Sequence, residues 1–291
     1  MPLSAAPKLG TRMLPEDTFA GEVVYVTGGG TGLGKAIAIE FARCGADVAI
    51  ASRDPEHRAA GVKAIESLGR RAASTEVDVR DPERVAASFD EIEQALGPVA
   101  VLINNAAGNF EVPAEDMSPR AWRAVVQIVL DGTFFCSSEF ARRRIARREG
   151  GSILNIGATY AWTGGPGHSH SAAAKAGVLS LTQSLAVEWA PDDIRVNCLT
   201  PGAFPAPDRS GVVAQTQAQI DRTARTIPGG RVGEAHELGY AATYICSGFA
   251  AYLTGHNVVL DGGNWLRRNR RMPEFEPVRD IFSRERARRG A

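Results

Sequence analysis

Cysteine is scarce: Cys44, Cys136, Cys198 and Cys246 are the only four in 291 residues, far apart and with no C-x-x-C pair or histidine cluster beside them. That spacing argues against a disulfide framework and a zinc site, so no metal is expected and a reducing compartment is implied. An excess of charge is missing as well. Lys plus Arg and Asp plus Glu number 33 each, which leaves no global field to gather nucleic acid or an acidic membrane surface. Any anionic ligand must be held locally. No run of eighteen apolar residues is present to span a bilayer, and Met1 to Gly21 lacks the apolar block of a secretory signal. These absences predict a soluble cytoplasmic chain with no nucleic-acid partner and no membrane span. Residues 1–20, Pro- and Ala-rich with Lys8 and Arg12, read as a frayed arm, with an import signal and the mitochondrial matrix left open. The final Arg-Gly-Ala is no peroxisomal address.

What is present suits one α/β domain, over residues 21–266. The chain is 44% hydrophobic and carries 31 glycines, enough for one large core and many tight turns. Apolar runs alternate with helical patterns, the signature of βαβ units and a doubly wound parallel sheet with helices on both faces. About seven strands are predicted: Glu22 to Thr27, Asp47 to Ser52, Ala73 to Val77, Val99 to Ile103, Ser152 to Ile156, Arg195 to Leu199 and Val258 to Leu260. Pro82 and Ser118-Pro119 open helices, and Gly45, Gly69, Gly97 and Gly150 mark helix ends. Beyond Leu266 a basic tail, 267–291, begins with Arg267, Arg268, Arg270 and Arg271.

Thr27-Gly-Gly-Gly-Thr-Gly-Leu-Gly34 follows the first strand and opens the first helix, the context of a phosphate-cradling turn. Gly28, Gly32 and Gly34 allow close backbone approach to a pyrophosphate, with Thr31 and Leu33 beside them. The second strand ends Ala51-Ser52-Arg53, with no carboxylate at its tip for an adenosine ribose. A hydroxyl followed by Arg suits the 2′-phosphate of NADP, although Arg53 also reads as a solvated strand-end charge and Asp54 opposes it. NADP(H) is therefore the expected cofactor, with NAD the alternative. Asp78, with Val79, follows the third strand and is positioned for the adenine, while Asn105 and Ala106 follow the fourth, within Asn104-Asn-Ala-Ala-Gly108. Turn chemistry is the alternative for both, and their position after parallel strands on the ligand-binding edge of the sheet favours the functional reading.

These motifs, with Lys175 in a helix of the form S-A-A-A-K-A-G-V and Arg195-Val-Asn-Cys-Leu-Thr-Pro-Gly202, resemble the short-chain dehydrogenase/reductase family across residues 20–263. A Rossmann-like fold follows from the resemblance. So does a role for Lys175 on the nicotinamide ribose and for Pro201 and Gly202 at the nicotinamide. Where that family has a tyrosine four residues before the lysine, this chain has Ser171, and where it has a serine, Ala158. A serine hydroxyl titrates far too high to act as that phenol, so alcohol–ketone exchange should be slow.

One branch shares this departure, the 2,4-dienoyl-CoA reductases. The chain resembles their mitochondrial type at Met13-Leu-Pro, Thr27 to Lys35, Ala51-Ser-Arg53, Asp78-Val-Arg-Asp-Pro82, Ile103 to Phe110 and Ile128-Val-Leu-x-Gly132, and in the spacing of Tyr160, Ser171 and Lys175. It departs at Asp54, at Asp131 where an Asn is usual, and in the tail. The branch implies hydride addition at Cδ of a conjugated acyl-CoA thioester and an extended enolate whose oxygen accepts from Tyr160 and Asn109. Two such donors contribute about 3 to 4 kcal/mol each. Protonation at Cα, with water the proton source, gives a 3-enoyl-CoA, in unsaturated fatty-acid β-oxidation. Lys175 supplies a positive field and Ser171 a nearby hydrogen bond.

Arg80 is the residue the resemblance favours for coenzyme A, with Arg209, Arg222, Arg225 and the tail arginines as further candidates. Phe110, Trp162 and Phe204 are candidates for an acyl channel. The arginines from Arg142 to Arg148 lie at a helix C-terminus and read as structural. The weakly apolar segment Ala203 to Ile227 suggests a lid, and a homotetramer is expected by analogy. Two other functions remain open: a related reductase using Tyr160 as its acid, and a catalytically silent NADP-binding protein.

Overall fold

The computed structural model describes residues 2–205, 215–266 and 277–289. Seven parallel strands form one sheet in the order β3-β2-β1-β4-β5-β6-β7. They are β1 (Val23–Thr27), β2 (Asp47–Ala51), β3 (Ala72–Thr75), β4 (Val99–Asn104), β5 (Gly151–Ile156), β6 (Ile194–Pro201) and β7 (Asn257–Leu260). The apolar runs read from the sequence sit at these places within a few residues. Helices α1 (Gly32–Arg43), α2 (Pro55–Glu66) and α3 (Pro82–Leu96) alternate with the first strands. After β4 come α4 (Pro119–Val126) and α5 (Gly132–Arg147), then α6 (Tyr160–Thr163), α7 (Ser169–Trp189), α8 (Gln217–Thr226), α9 (Ala235–Cys246) and α10 (Val278–Arg289).

Both faces of the sheet are covered, which is why its strands read as near-continuous apolar runs. Val24, Val26, Ile37, Phe41, Leu238 and Ile245 belong to the core on one face, and Tyr25, Phe89, Leu102, Phe140, Ile153 and Val196 to the core on the other. From β1 the chain winds outward to β3, then crosses back to β4 and winds the other way. The carboxyl ends of β1 and β4 therefore flank the crevice where open α/β sheets bind ligands.

Pro82 lies in the first turn of α3 behind the capping Asp81, Ser118 caps α4, and Gly97 ends α3 with φ +107°. Gly150 does not end its helix. Arg148 does, in the left-handed conformation (φ 55°, ψ 44°), because Arg148 N–H and Glu149 N–H close back onto the carbonyls of Ile145 and Arg144. Gly150 is small for another reason, since a Cβ there would meet the Asp193 side chain at 2.5 Å.

Helices α4 and α5 join through a π-helical turn, Gln127–Asp131. The resulting 29-residue helix is long and apolar enough by composition to cross a membrane, yet it packs on α3 and α7 as a core helix does. The arginines at its end tie it to α3: Arg143 reaches Asp90 at 2.7 Å and Glu93 at 2.8 Å, and Arg147 reaches Glu93 at 2.7 Å. The N-terminal arm is not frayed. Leu3 N–H donates to Gly229 O (2.8 Å), Tyr240 Oη to Thr11 O (2.7 Å), and Phe19 is buried in the core.

Candidate active site

The glycine turn after β1 is held from the side by β4. Thr27 Oγ1 donates to Ile103 O (3.2 Å) and accepts from the N–H groups of Asn105 and Ala106 (3.0 Å each). The Asn105 amide then donates to the carbonyls of Thr27 and Gly28, both at 3.0 Å. Gly28 (φ +65°) and Gly32 (φ +56°) take left-handed conformations that a side chain would strain. Gly34 must also be bare, because its Cβ would fall onto Asn105 Nδ2 and the Gly28 carbonyl. Thr31 begins α1 in extended conformation, its own side chain makes no capping bond, and the first turn of the helix carries no acidic residue. Such a terminus attracts an anion.

At the tip of β2, Ser52 Oγ accepts the Asp54 N–H at 3.2 Å. Asp54, expected to oppose a basic pocket, instead caps α2. His57 N–H (3.3 Å) and Glu56 N–H (2.8 Å) hold its carboxyl below the usual range. Arg58, not singled out from the sequence, folds back onto the carbonyls of Ser52 (2.7 Å) and Arg53 (3.1 Å). Asp78 lies between two guanidinium groups: Arg80 Nε donates to it at 2.9 Å and Arg53 Nη1 stands 3.7 Å away. The Arg80 bond lowers the Asp78 pKa. Arg80 is thus oriented by Asp78 after the end of β3. Val79 is buried, its side chain against the bare Cα of Gly132.

Across the crevice, α7 brings Ser171 and Lys175 onto one face one turn apart, both buried. Tyr160, at the start of α6, turns its hydroxyl onto Ser171 Oγ at 3.0 Å. Lys175 Nζ donates to Ile156 O at the end of β5, and burial pushes its pKa down from 10.5 to about 8. Behind them Asn104 donates to Ser137 Oγ and Asn155 Oδ1, and Asn155 to Thr182 Oγ1, all at 2.9 Å, fixing the ends of β4 and β5 to α5 and α7. Pro201 ends β6, and Gly202 N–H donates to Leu260 O at 2.9 Å.

Asn109 lies on the exposed loop after β4, where its Oδ1 accepts Phe110 N–H at 3.0 Å. Phe110 meets His170 edge-on, with centroids 4.5 Å apart. His170 is fully buried, both ring nitrogens lack partners among the described residues, and burial lowers its pKa. The remaining aromatic candidates contact other residues. Phe204 packs over Gly233, and Trp162 stacks edge-on against Trp265 (5.4 Å) at a cavity of about 350 Å³ between α7 and β7. Within the expected lid, α8 forms behind a Thr216–Gln219 capping box. Residues 206–214, with Arg209, and Arg267 to Arg271 of the tail lie outside the described residues.

The crevice fits a dinucleotide: a bare glycine turn, a helix terminus without acids, and a buried ammonium on the opposite wall. Residues 28–264 match the model of the enoyl-(acyl carrier protein) reductase family. A Bacillus subtilis protein named as a probable (2E)-enoyl-CoA-producing 2,4-dienoyl-CoA reductase is 42% identical over 84% of this chain and 97% of its own. A zebrafish (Danio rerio) peroxisomal 2,4-dienoyl-CoA reductase, named as (3E)-enoyl-CoA-producing, is 37% identical over 88% of this chain and 85% of its own. The crystal structure of a Burkholderia cenocepacia gluconate 5-dehydrogenase with NADP and tartrate superposes with a TM-score of 0.79 at 30% identity, covering 87% of this chain and 99% of that one. The fold is Rossmann-like, the activity is that of an oxidoreductase, and the cofactor is a nicotinamide dinucleotide. The chain belongs to the short-chain dehydrogenase/reductase family, in the branch of the 2,4-dienoyl-CoA reductases.

Proposed function

We propose that this protein is an NADPH-dependent 2,4-dienoyl-CoA reductase of unsaturated fatty-acid β-oxidation, producing 3-enoyl-CoA. The observation that carries the reading is the Tyr160 hydroxyl, bonded to Ser171 on the same face of α7 as Lys175 in a chain with no tyrosine at 171. Gly28, Thr31 to Gly34, Asn105 and Ala106 would hold the pyrophosphate half of the cofactor, and Lys175, Pro201 and Gly202 its nicotinamide half. For the 2′-phosphate, Ser52 and Arg53 supply the donors. Asp54 keeps its negative charge beside them, with its carboxylate turned to the first-turn N–H groups of α2.

Held there by Lys175, Pro201 and Gly202, the reduced nicotinamide would supply the hydride for Cδ of the conjugated thioester. The residues then have one main task, to stabilise negative charge on the thioester oxygen without transferring a proton to it. Tyr160 Oη donates to that oxygen, and so does Asn109 Nδ2, whose orientation is set by the Asn109 Oδ1 bond to Phe110 N–H. Lys175 adds a positive field in a buried position where it is weakly screened. Water then protonates Cα, while protonation at Cγ would give the 2-enoyl isomer. Arg80, oriented by Asp78, is the proposed partner of a coenzyme A phosphate. A homotetramer rests on the family resemblance, and exposed Phe134 and Ile145 on α5 and Phe249 and Tyr252 before β7 leave apolar side chains for contact between copies.

Hexadienoyl-CoA and a panel of ketones, each offered with NADPH or NADH, test the assignment by absorbance. The expected outcome is rapid dienoyl-CoA reduction with NADPH, a 3-enoyl product by chromatography, and a loss of kcat of roughly a hundredfold in Tyr160→Phe with KM little changed. Turnover of ketones alone, or unchanged turnover in Tyr160→Phe, overturns it.

A further inference from the structure

The two donors of the proposed oxyanion site come from segments far apart in the chain, and the His168 imidazole touches both. His168 occupies the position before α7 where Ser, Thr, Asp or Asn usually turns an oxygen onto the first-turn N–H groups. Its ring makes no such bond. It reaches across to the loop after β4, where Nδ1 lies 3.3 Å from the Phe110 carbonyl and Nε2 lies 3.1 Å from Glu111 Oε1. On its other side it stacks along the Tyr160 ring, with centroids 6.0 Å apart and planes at 21°. Next to it Val112 N–H donates to Gly167 O at 3.0 Å.

We propose that His168 is a positioning residue that sets the Tyr160 phenol and the Asn109 carboxamide in register with each other. The inference rests on the oxyanion reading given above. The link runs through one residue: with a proton on Nδ1, His168 donates to the Phe110 carbonyl, and the Phe110 N–H holds Asn109 Oδ1. A neutral imidazole donates through one nitrogen and a protonated one through both, so either form keeps a tie to the loop. Without the ring, Tyr160 retains Ser171 and Asn109 retains Phe110, and among the described residues the Val112 backbone bond and the Phe110–His170 ring contact are left to relate the first pair to the second. Two donors displaced by a fraction of an ångström lose transition-state stabilisation while still admitting substrate.

His168→Ala and the more conservative His168→Gln test this in two ways. Without any substrate, hydrogen exchange at the amides of Phe110 and Val112 should rise about tenfold or more in His168→Ala and less in His168→Gln. With hexadienoyl-CoA and NADPH, His168→Ala should lower kcat by roughly ten- to thirtyfold, and shift KM and the NADPH dissociation constant by less than about threefold. In an Asn109→Ala background the same substitution should cost less than about threefold in kcat, since the donor it positions is gone. Wild-type exchange in His168→Ala, or losses that multiply in the double variant, overturn the proposal. Should the unaltered protein fail to reduce dienoyl-CoA, the oxyanion reading falls while the exchange measurement still decides whether His168 ties the segments.

Discussion

The two walls of the crevice are built differently. On the nucleotide side the ligand would meet main chain at the ends of β1 and β4, in the middle of the sheet, pinned by Thr27, which is 2% exposed, and by Asn105. On the substrate side it would meet a surface loop in which Asn109 is exposed and Phe110 is 41% exposed. That loop is tied down by side chains: His168 on Glu111, Arg279 on Glu115 (3.6 Å) and Arg286 on Asp116 (2.6 Å). Helix α10 lies over the same rim, with Val278 3.8 Å from where a Gly167 Cβ would be. Backbone ties inside a sheet are hard to rearrange, whereas exposed ion pairs stabilise weakly and exchange with solvent. The cofactor wall is preformed and the substrate wall is adjustable.

The contrast is most exposed to failure at Gly34. In Gly34→Val the new side chain runs into Asn105 and the Gly28 carbonyl, so NADPH affinity by calorimetry should drop by about a hundredfold or more. Binding close to that of the unaltered protein would show that the preformed wall yields. Lys175 sharpens the comparison through pH. Burial lowers its pKa from 10.5 to about 8, so between those values the unfolded chain holds a proton that the folded chain has released. The cost of burying the ammonium is fully present below pH 8 and is relieved as pH rises through the window, by on the order of 3 kcal/mol. Denaturant unfolding of the protein against Lys175→Met, at pH 7 and pH 10, should show this difference, and kcat/KM should fall above a pH of about 8 as the charge is lost. A pH-independent difference in stability between the two would contradict it. The smallest effect belongs to the rim. Arg286→Ala breaks an exposed pair and should change stability by less than about 0.5 kcal/mol and kcat by less than about twofold. A larger loss would mean that α10 holds the substrate wall rigid.

Legibility in the sequence followed the same divide. The Gly28 to Gly34 turn and the apolar strands were readable because each is a local backbone requirement written in residue type. Ser171 and Lys175 were readable as a pair because helical periodicity brings positions four apart onto one face. Arg148 was not, because a left-handed residue other than glycine is set by the hydrogen bonds that close around it. Asp54 and Arg58 were misjudged or missed for a related reason: charge at a strand tip says nothing about whether the side chain turns to the ligand or back to its own helix. His168 carried no signal in a sequence with five histidines, since its partners lie on another loop.

Composition, periodicity and motif spacing by themselves determined a parallel α/β sheet and a phosphate-cradling glycine turn on its ligand-binding edge, and the family resemblance marked Ser171 as standing where a tyrosine is usual. Only the tertiary structure decided that the Tyr160 hydroxyl reaches Ser171, that Asp54 caps α2, and that His168 touches both the Tyr160 ring and the loop after β4. The first set depends on patterns within a few turns of chain, which sequence records directly. The second depends on distances between residues brought together by packing, which no local pattern contains.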